Sequence, residues 1–337
     1  MAIIRKKPFL FFAIAMLVAI CFSTADVFAK EKVFRLRFAH VNSESAMVHK
    51  EAVYFADRLE EVSGGRLKLE IFPNASLGSE TQLIEMVDAG LLDLAATTAM
   101  GIGALVPQIS VLDAAFVLKD YNHQVKVVNG PVGKELFDLV AAKTNFVVVA
   151  CPTYGVRHLT VKNRKVQEPS DASGLKVRAM NFEQAMLNVK SLGATPIPVP
   201  FAELYTSLQQ RIVDGQENPL NTILASKFYE VQDYVCLTGH VVTNGPFIMS
   251  KRKWDKLPND LKEIVAQVGQ ETNVWAAKLA TEKESEWLNE LVDRGMTAVE
   301  ISPAAREKFI ENAKNIIVPA FAEKWDGYYE RISAADR

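Results

Sequence analysis

The sequence predicts an α/β chain folded as two lobes, with crossing strands between them and a long helix spanning both lobes. Three observations carry that expectation. Strand-like alternation and helix-like periodicity take turns from Phe34 to Ala96, the same pattern restarts near residue 145, and one apolar stripe at helical spacing runs from Leu261 to Arg294. Alternating strands and helices bury their apolar faces as a parallel sheet with helical crossovers. Two such units in 337 residues imply two lobes.

The elements follow in order. Phe34, Leu36 and Phe38 alternate with Arg35 and Arg37, which reads as a half-buried strand. Val48, Ala52, Phe55, Ala56, Leu59 and Val62 share one face of a helix that Gly64-Gly65 closes. Leu67, Leu69 and Ile71 form the next strand. Ser79 and Gln82 have capping-box spacing ahead of Leu83, Ile84 and Val87, and Gly90 ends that helix before an apolar strand over Leu91 to Ala96. In the second unit, strands are expected at Phe146 to Ala150, His158 to Val161, Leu175 to Ala179 and Ile197 to Val199. Helices are expected from Met186 to Leu192 and from Phe201 to Ile212. Val235 to Val242 is extended and carries the chain back toward the first lobe. After the turn at Pro258-Asn259-Asp260, the Leu261 to Arg294 stripe predicts one rod about 50 Å long, with two helices and a hidden break as the alternative. The first lobe is expected to hold residues 30–154 plus 244–283, and the second residues 155–243 plus 284–337.

Arg5, Lys6 and Lys7 precede a 14-residue apolar run from Phe9 to Phe22, and Val27-Phe28-Ala29 offers a small-residue cleavage pattern. Residues 1–29 read as an export signal cleaved near Ala29, since the run is short for a membrane span of about 20 residues. Cys21 follows the bulky Ile20, which argues against lipid attachment. Without that segment 35 basic and 39 acidic residues remain, a formal charge of −4. Such a balance lacks the concentrated basic surface that nucleic acid requires. The two remaining cysteines, Cys151 and Cys236, fit one disulfide or two buried thiols equally well.

No G-x-S-x-G, H-E-x-x-H, phosphate-binding G-x-x-x-x-G-K or strand-to-helix G-x-G-x-x-G occurs. His40, His49, His123, His158 and His240 have no ligand-like spacing. No catalytic residue, metal site or cofactor is therefore expected. What stands out is anion-binding chemistry at loop ends. Arg157 in Y-G-V-R and Arg178 in G-L-K-V-R-A-M lie near strand ends, where ligands of open α/β sheets bind. A guanidinium fork matches a carboxylate with two parallel hydrogen bonds. For either arginine alone, a surface ion pair is the competing reading.

The blocks Gly174 to Met180, L-G-A-T-P-I-P-V-P-F-A-E-L-Y-T-S-L-Q from Leu192, and V-D-G-Q-E-N-P-L from Val213 occur in this order. With F-P-N-A-S-L-G at Phe72, N-G-P-V-G-K-E-L at Asn129 and K-F-Y-E-V-Q-D-Y at Lys227, they make the chain resemble the DctP-type solute-binding proteins of tripartite ATP-independent periplasmic (TRAP) transporters. The resemblance implies a two-lobed periplasmic binding protein (type II-like) that closes on a small organic acid and delivers it to a membrane permease; a monomer is expected, with oligomeric state left open by the sequence. It places the carboxylate clamp on Arg178, a supporting arginine on Arg157, a ligand-binding amide on Asn218 and an aromatic wall on Phe201. His40, Asn42, Ser43, Thr98 and Tyr154 are candidates for the remaining ligand contacts. On this reading Gly215 and Pro219 hold an irregular turn that points Asn218 into the cleft, while Asp214, Gln216 and Glu217 tie the turn to its surroundings. Ala179-Met180 replaces a common V-P, and Thr97-Thr98 stands where sialic-acid binders carry an acidic residue, so sialic acid is not the expected ligand. C4-dicarboxylates, sugar acids and other monocarboxylates remain open. So do a binding component of another importer type for amino or aromatic acids, and a periplasmic enzyme acting on a carboxylate.

Overall fold

The computed structural model describes residues 32–335; the expected export signal lies outside them. The strands are β1 (Phe34–Ala39), β2 (Leu67–Phe72), β3 (Leu94–Ala96), β4 (Phe146–Ala150), β5 (Thr153–Val161), β6 (Lys176–Ala179), β7 (Thr195–Pro198), β8 (Gly215–Pro219), β9 (Tyr234–Asn244), β10 (Phe247–Ser250) and β11 (Thr297–Val299). They form two mixed sheets, ordered β2-β1-β3-β10-β4 and β11-β9-β5-β8-β6-β7. β1 pairs in parallel with β2 and β3, whereas β10 enters antiparallel between β3 and β4. The chain crosses from the first sheet to the second between Ala150 and Thr153 and returns between Asn244 and Phe247, with Thr153 opposite Asn244 in the β5–β9 pair.

Amphipathic helices cover the sheets as the periodicity predicts. The helix Met47–Val62 buries Met47, Val48, Ala52, Phe55 and Leu59. Phe55 and Phe38 both meet Phe247 edge-on, at 5.5 and 4.8 Å between ring centroids. In the second sheet Leu159, Val177, Val189 and Phe309 share one core. The helix Glu80–Asp88 starts in a complete Ser79/Gln82 capping box, which fixes the direction of Glu80 at its first turn.

The stripe beginning at Leu261 is one continuous 35-residue helix, Asn259–Asp293. It packs on the helix Met47–Val62, on β4 and on β5, touching both sheets. At Gly269 it approaches β4 so closely that a Cβ there would lie 1.9 Å from the carbonyl oxygen of Val149. Farther along, Glu284 Oε2 accepts a hydrogen bond from Tyr121 Oη at 2.5 Å, and that oxygen accepts from the Val156 N–H at 3.1 Å.

Several local expectations are corrected. Gly215–Pro219 is a strand, not an irregular turn. It pairs antiparallel with β5, Val161 opposite Gly215 and Arg157 opposite Pro219, and in parallel with β6. Gly215 permits the close approach, since a Cβ would sit 2.4 Å from the Thr160 carbonyl oxygen. Proline is tolerated because it ends the strand. The helix expected over Phe201 to Ile212 is a 3-10 turn, Phe201–Glu203, and a short helix, Leu204–Gln209. It stops because Arg211 adopts a left-handed φ of 59°. β3 starts at Leu94 rather than Leu91, because the Leu91 and Leu92 N–H groups both donate to the Met86 carbonyl and finish the preceding helix. Cys151 and Cys236 are buried free thiols, so the disulfide alternative is set aside. Among the described residues no helix is long and apolar enough to cross a membrane.

Candidate ligand-binding site

Between the sheets lies a small chamber of about 40 Å³ whose lining includes Asn42, Glu80, Thr98, Tyr154, Arg157, Arg178, Phe201 and Asn218. It shares Val41, Glu80, Arg178, Met180 and Phe201 with a wider vestibule of about 530 Å³. A larger cavity, about 710 Å³, lies along β4 and the long helix. Its two charged residues, Lys134 and Asp138, already pair with each other at 2.6 Å. The chamber, by contrast, is lined by a buried arginine, Arg178, that forms no ion pair among the described residues.

Arg178 extends from β6 and is 2% exposed. Its Nε donates to the Val199 carbonyl at 2.8 Å, and its guanidinium lies 5.9 Å from the centroid of the Phe201 ring. Among the described residues no acidic side chain forms an ion pair with it. Burial lowers its pKa to about 10, so it stays cationic at neutral pH. A buried cation without a counter-ion is costly. An anion entering the chamber offsets that cost.

Arg157 is differently placed. It is 3% exposed, and its Nη2 donates to Glu217 Oε1 at 2.9 Å and to Asn218 Oδ1 at 3.2 Å, while Nε reaches Glu217 Oε2. His240 Nε2 stands 3.2 Å from the same Glu217 Oε2, with its Nδ1 2.8 Å from Thr238 Oγ1. A carboxylate only accepts, so Nε2 carries the proton in this pair. Burial pushes the Glu217 carboxyl up, but Arg157 and His240 outweigh it and hold the pKa at about 2. Burial pushes His240 down. The other polar groups of the D-G-Q-E-N-P segment are committed as well. Gln216 Nε2 donates to Thr160 Oγ1 at 2.9 Å, Asp214 Oδ2 accepts from the Lys176 N–H at 2.8 Å, and Asn218 Nδ2 donates to Gln216 Oε1.

Of the residues expected from the sequence, Arg178, Arg157, Asn218, Phe201, Asn42, Thr98 and Tyr154 come together around the chamber. His40 and Ser43 are not among its lining residues. His40 is 1% exposed and its Nε2 lies 3.1 Å from His49 Nδ1; burial, then His49, lowers its pKa to about 4. A histidine held neutral by the fold adds stability above its ordinary pKa of 6.5 that is lost as pH falls from 6.5 to 4. The loss is on the order of 3 kcal/mol. Denaturant unfolding at pH 7 and pH 4 is expected to show it in the wild type and a smaller drop in His40→Asn.

Glu80 escaped sequence reasoning. Its Oε1 accepts from Thr97 Oγ1 at 2.8 Å, the Thr98 N–H at 2.7 Å and Thr98 Oγ1 at 2.8 Å. The signal was present: Glu80 directly follows the cap residue of a helix that starts beyond the carboxyl end of β2, where ligands of such sheets bind.

Residues 38–324 match the family described as bacterial extracellular solute-binding protein, family 7 (DctP). The 2,3-diketo-L-gulonate-binding periplasmic protein YiaO of Escherichia coli K12 is 32% identical over 82% of this chain and 83% of its own. A TRAP periplasmic solute-binding protein from Polaromonas sp. JS666, bound to D-erythronate, is 34% identical. It superposes with a TM-score of 0.84 over 89% of this chain and 98% of that one. Another from Sulfurospirillum deleyianum, with bound succinate, is 28% identical, with a TM-score of 0.82 over 90% and 99%. With two mixed sheets, crossing strands and a buried guanidinium between them, the chain belongs to this family, the solute receptors of TRAP transporters.

Proposed function

We propose that the chamber takes a small organic acid by its carboxylate on Arg178, with Arg157, Asn218 and Phe201 completing the pocket, and that the protein hands it unchanged to a membrane permease. One observation carries this reading: Arg178 is a fully buried cation whose two terminal nitrogens have no acceptor among the described residues, at the wall of a small chamber that opens to a wider vestibule. The lobes are taken to divide where the chain crosses at Tyr154 and Asn244, and closure requires the acid to bind the shut form better than the open one. The acid–base balance of the sequence supports a receptor that does not bind nucleic acid, and the receptor is taken to act as a monomer. The relatives are binding proteins for transporters, which supports a receptor over an enzyme.

The test is a thermal-shift screen of organic acids, preceded by mass spectrometry of whatever co-purifies. An acid at 100 times its dissociation constant stabilises the native state by about 2.7 kcal/mol, which raises the midpoint by a few degrees. A screen in which no carboxylate shifts the midpoint, or one in which an acid is converted to a new product, defeats the reading.

A further inference from the structure

The buried face of the helix Met47–Val62 carries one carboxyl group among its apolar side chains. Glu51 is 0% exposed, and neither of its oxygens has a hydrogen-bond partner among the described residues. A buried carboxylate with no cation and no donor is far costlier than the protonated acid. Burial therefore holds the Glu51 pKa well above its ordinary value of 4.5, and the group is a neutral acid. The ligand chamber does not use it. Its surroundings are those of the strand crossing. The helix packs on β5 and on the long helix, and the titratable groups that feel Glu51 are Cys151 and Tyr154, which flank the passage of the chain from the first sheet to the second. One turn before Glu51, the Met47 N–H donates to Asn221 Oδ1 at 3.4 Å, and Asn221 Nδ2 donates to the Tyr154 carbonyl at 2.7 Å. Tyr154 also lines the chamber. The acid is thus enclosed by the residues about which the lobes are taken to turn.

Resting on the reading that the lobes close on an acid, we propose that Glu51 makes closure proton-linked: the shut receptor holds it as a neutral acid, and opening wets it and lets its proton leave. No neighbouring charge takes the place of that proton. Arg58, two turns along the same helix, is committed to Glu61 and to Glu271 of the long helix. His49 Nδ1 lies against His40 Nε2 at 3.1 Å, and Lys50 is exposed. The crossing supplies Cys151 and Tyr154, with Asp113 near Cys151, and none of these is a cation. Rotation of β5 at Tyr154 moves one wall of the enclosure against the helix that carries Glu51, so the carboxyl is the group whose solvation changes most with the angle between the lobes. Linkage sets the sign. With the pKa raised in the shut form and ordinary in the open form, binding takes up a proton; affinity is fully present below about pH 4.5 and is lost as pH rises toward the raised value.

The experiment is calorimetry of the full receptor at pH 6, 7 and 8, in phosphate and in Tris, with whichever acid shifts the midpoint most in the organic-acid screen, succinate and D-erythronate included. The wild type is expected to take up a sizeable fraction of a proton on binding and to lose about three- to tenfold in affinity for each unit of pH. Glu51→Gln and Glu51→Leu, uncharged at every pH and close in volume, are expected to bind with a flatter pH profile, with less proton uptake, and tighter than the wild type at pH 8. Urea unfolding separates this device from plain burial. If Glu51 were equally enclosed in the open form, the stability gap between the wild type and Glu51→Gln would widen from pH 6 to pH 8 without any acid present. The expected gap is constant without the acid and widens with it. A gap that widens without the acid overturns the proposal, as does binding by the wild type with no proton uptake, or the same pH profile in all three proteins. In each of these cases the acid still binds and only the proton linkage falls. If no carboxylate in the screen binds, the receptor reading falls with it.

Discussion

Arg178→Ala is expected to weaken ligand binding by about a hundredfold to ten-thousandfold, since two charge-assisted hydrogen bonds contribute about 1.5–3 kcal/mol each. The fold is expected to survive, because the variant removes a desolvated cation that no protein carboxylate neutralises. Arg178→Lys separates geometry from charge. Lysine keeps the charge but not the planar fork, nor the Nε donor that fixes the group to the Val199 carbonyl. Its affinity is expected to fall about a hundredfold. Calorimetry on both variants, with circular dichroism to confirm folding, checks this. Near wild-type affinity in either variant rules out a bidentate anchor.

Glu217→Ala is the second large effect, and it falls on stability as well as binding. Arg157 would keep its burial and lose its ion-pair partner, a change that costs about 3–5 kcal/mol for a buried pair. The same pair sets an acid limit. The Glu217 pKa is lowered from 4.5 to about 2, so its contribution is fully present above pH 4.5 and is lost as pH falls from 4.5 to 2. That contribution is on the order of 3 kcal/mol. Urea unfolding of the wild type and of Arg157→Met/Glu217→Leu tests the pair as a unit. The double variant is expected to be much less destabilised than Glu217→Ala, because no buried charge is left alone. A double variant as unstable as the single one would show that the cost comes from packing, not from charge.

Much of the architecture was legible in the sequence because it rests on periodicity. Alternation at Phe34 to Phe38, the β-branched run at Phe146 to Ala150 and the stripe from Leu261 each report a face that must be buried. The strand Gly215–Pro219 was not legible, for a physical reason. It is buried throughout yet carries Gln216, Glu217 and Asn218, each paired by a neighbour distant in sequence, so local polarity read as a turn. The site divides in the same way. Residue type and strand-end position single out Arg178. That Glu80 and Arg178 line one chamber depends on how two sheets meet, and no spacing along the chain encodes it.

The long helix imposes a mechanical asymmetry. Gly269 seats its backbone directly on β4, so that stretch is welded to the first sheet and cannot slide without a steric clash. Beyond it the rod holds the crossing strands by side-chain contacts alone, through Glu284 and Tyr121 to the backbone of Val156, and these can lengthen or rotate. Any swing of one sheet against the other therefore has a fixed fulcrum near residue 269 and a compliant arm past residue 280. Movement in that arm would reach β5 at Val156, the residue next to Arg157.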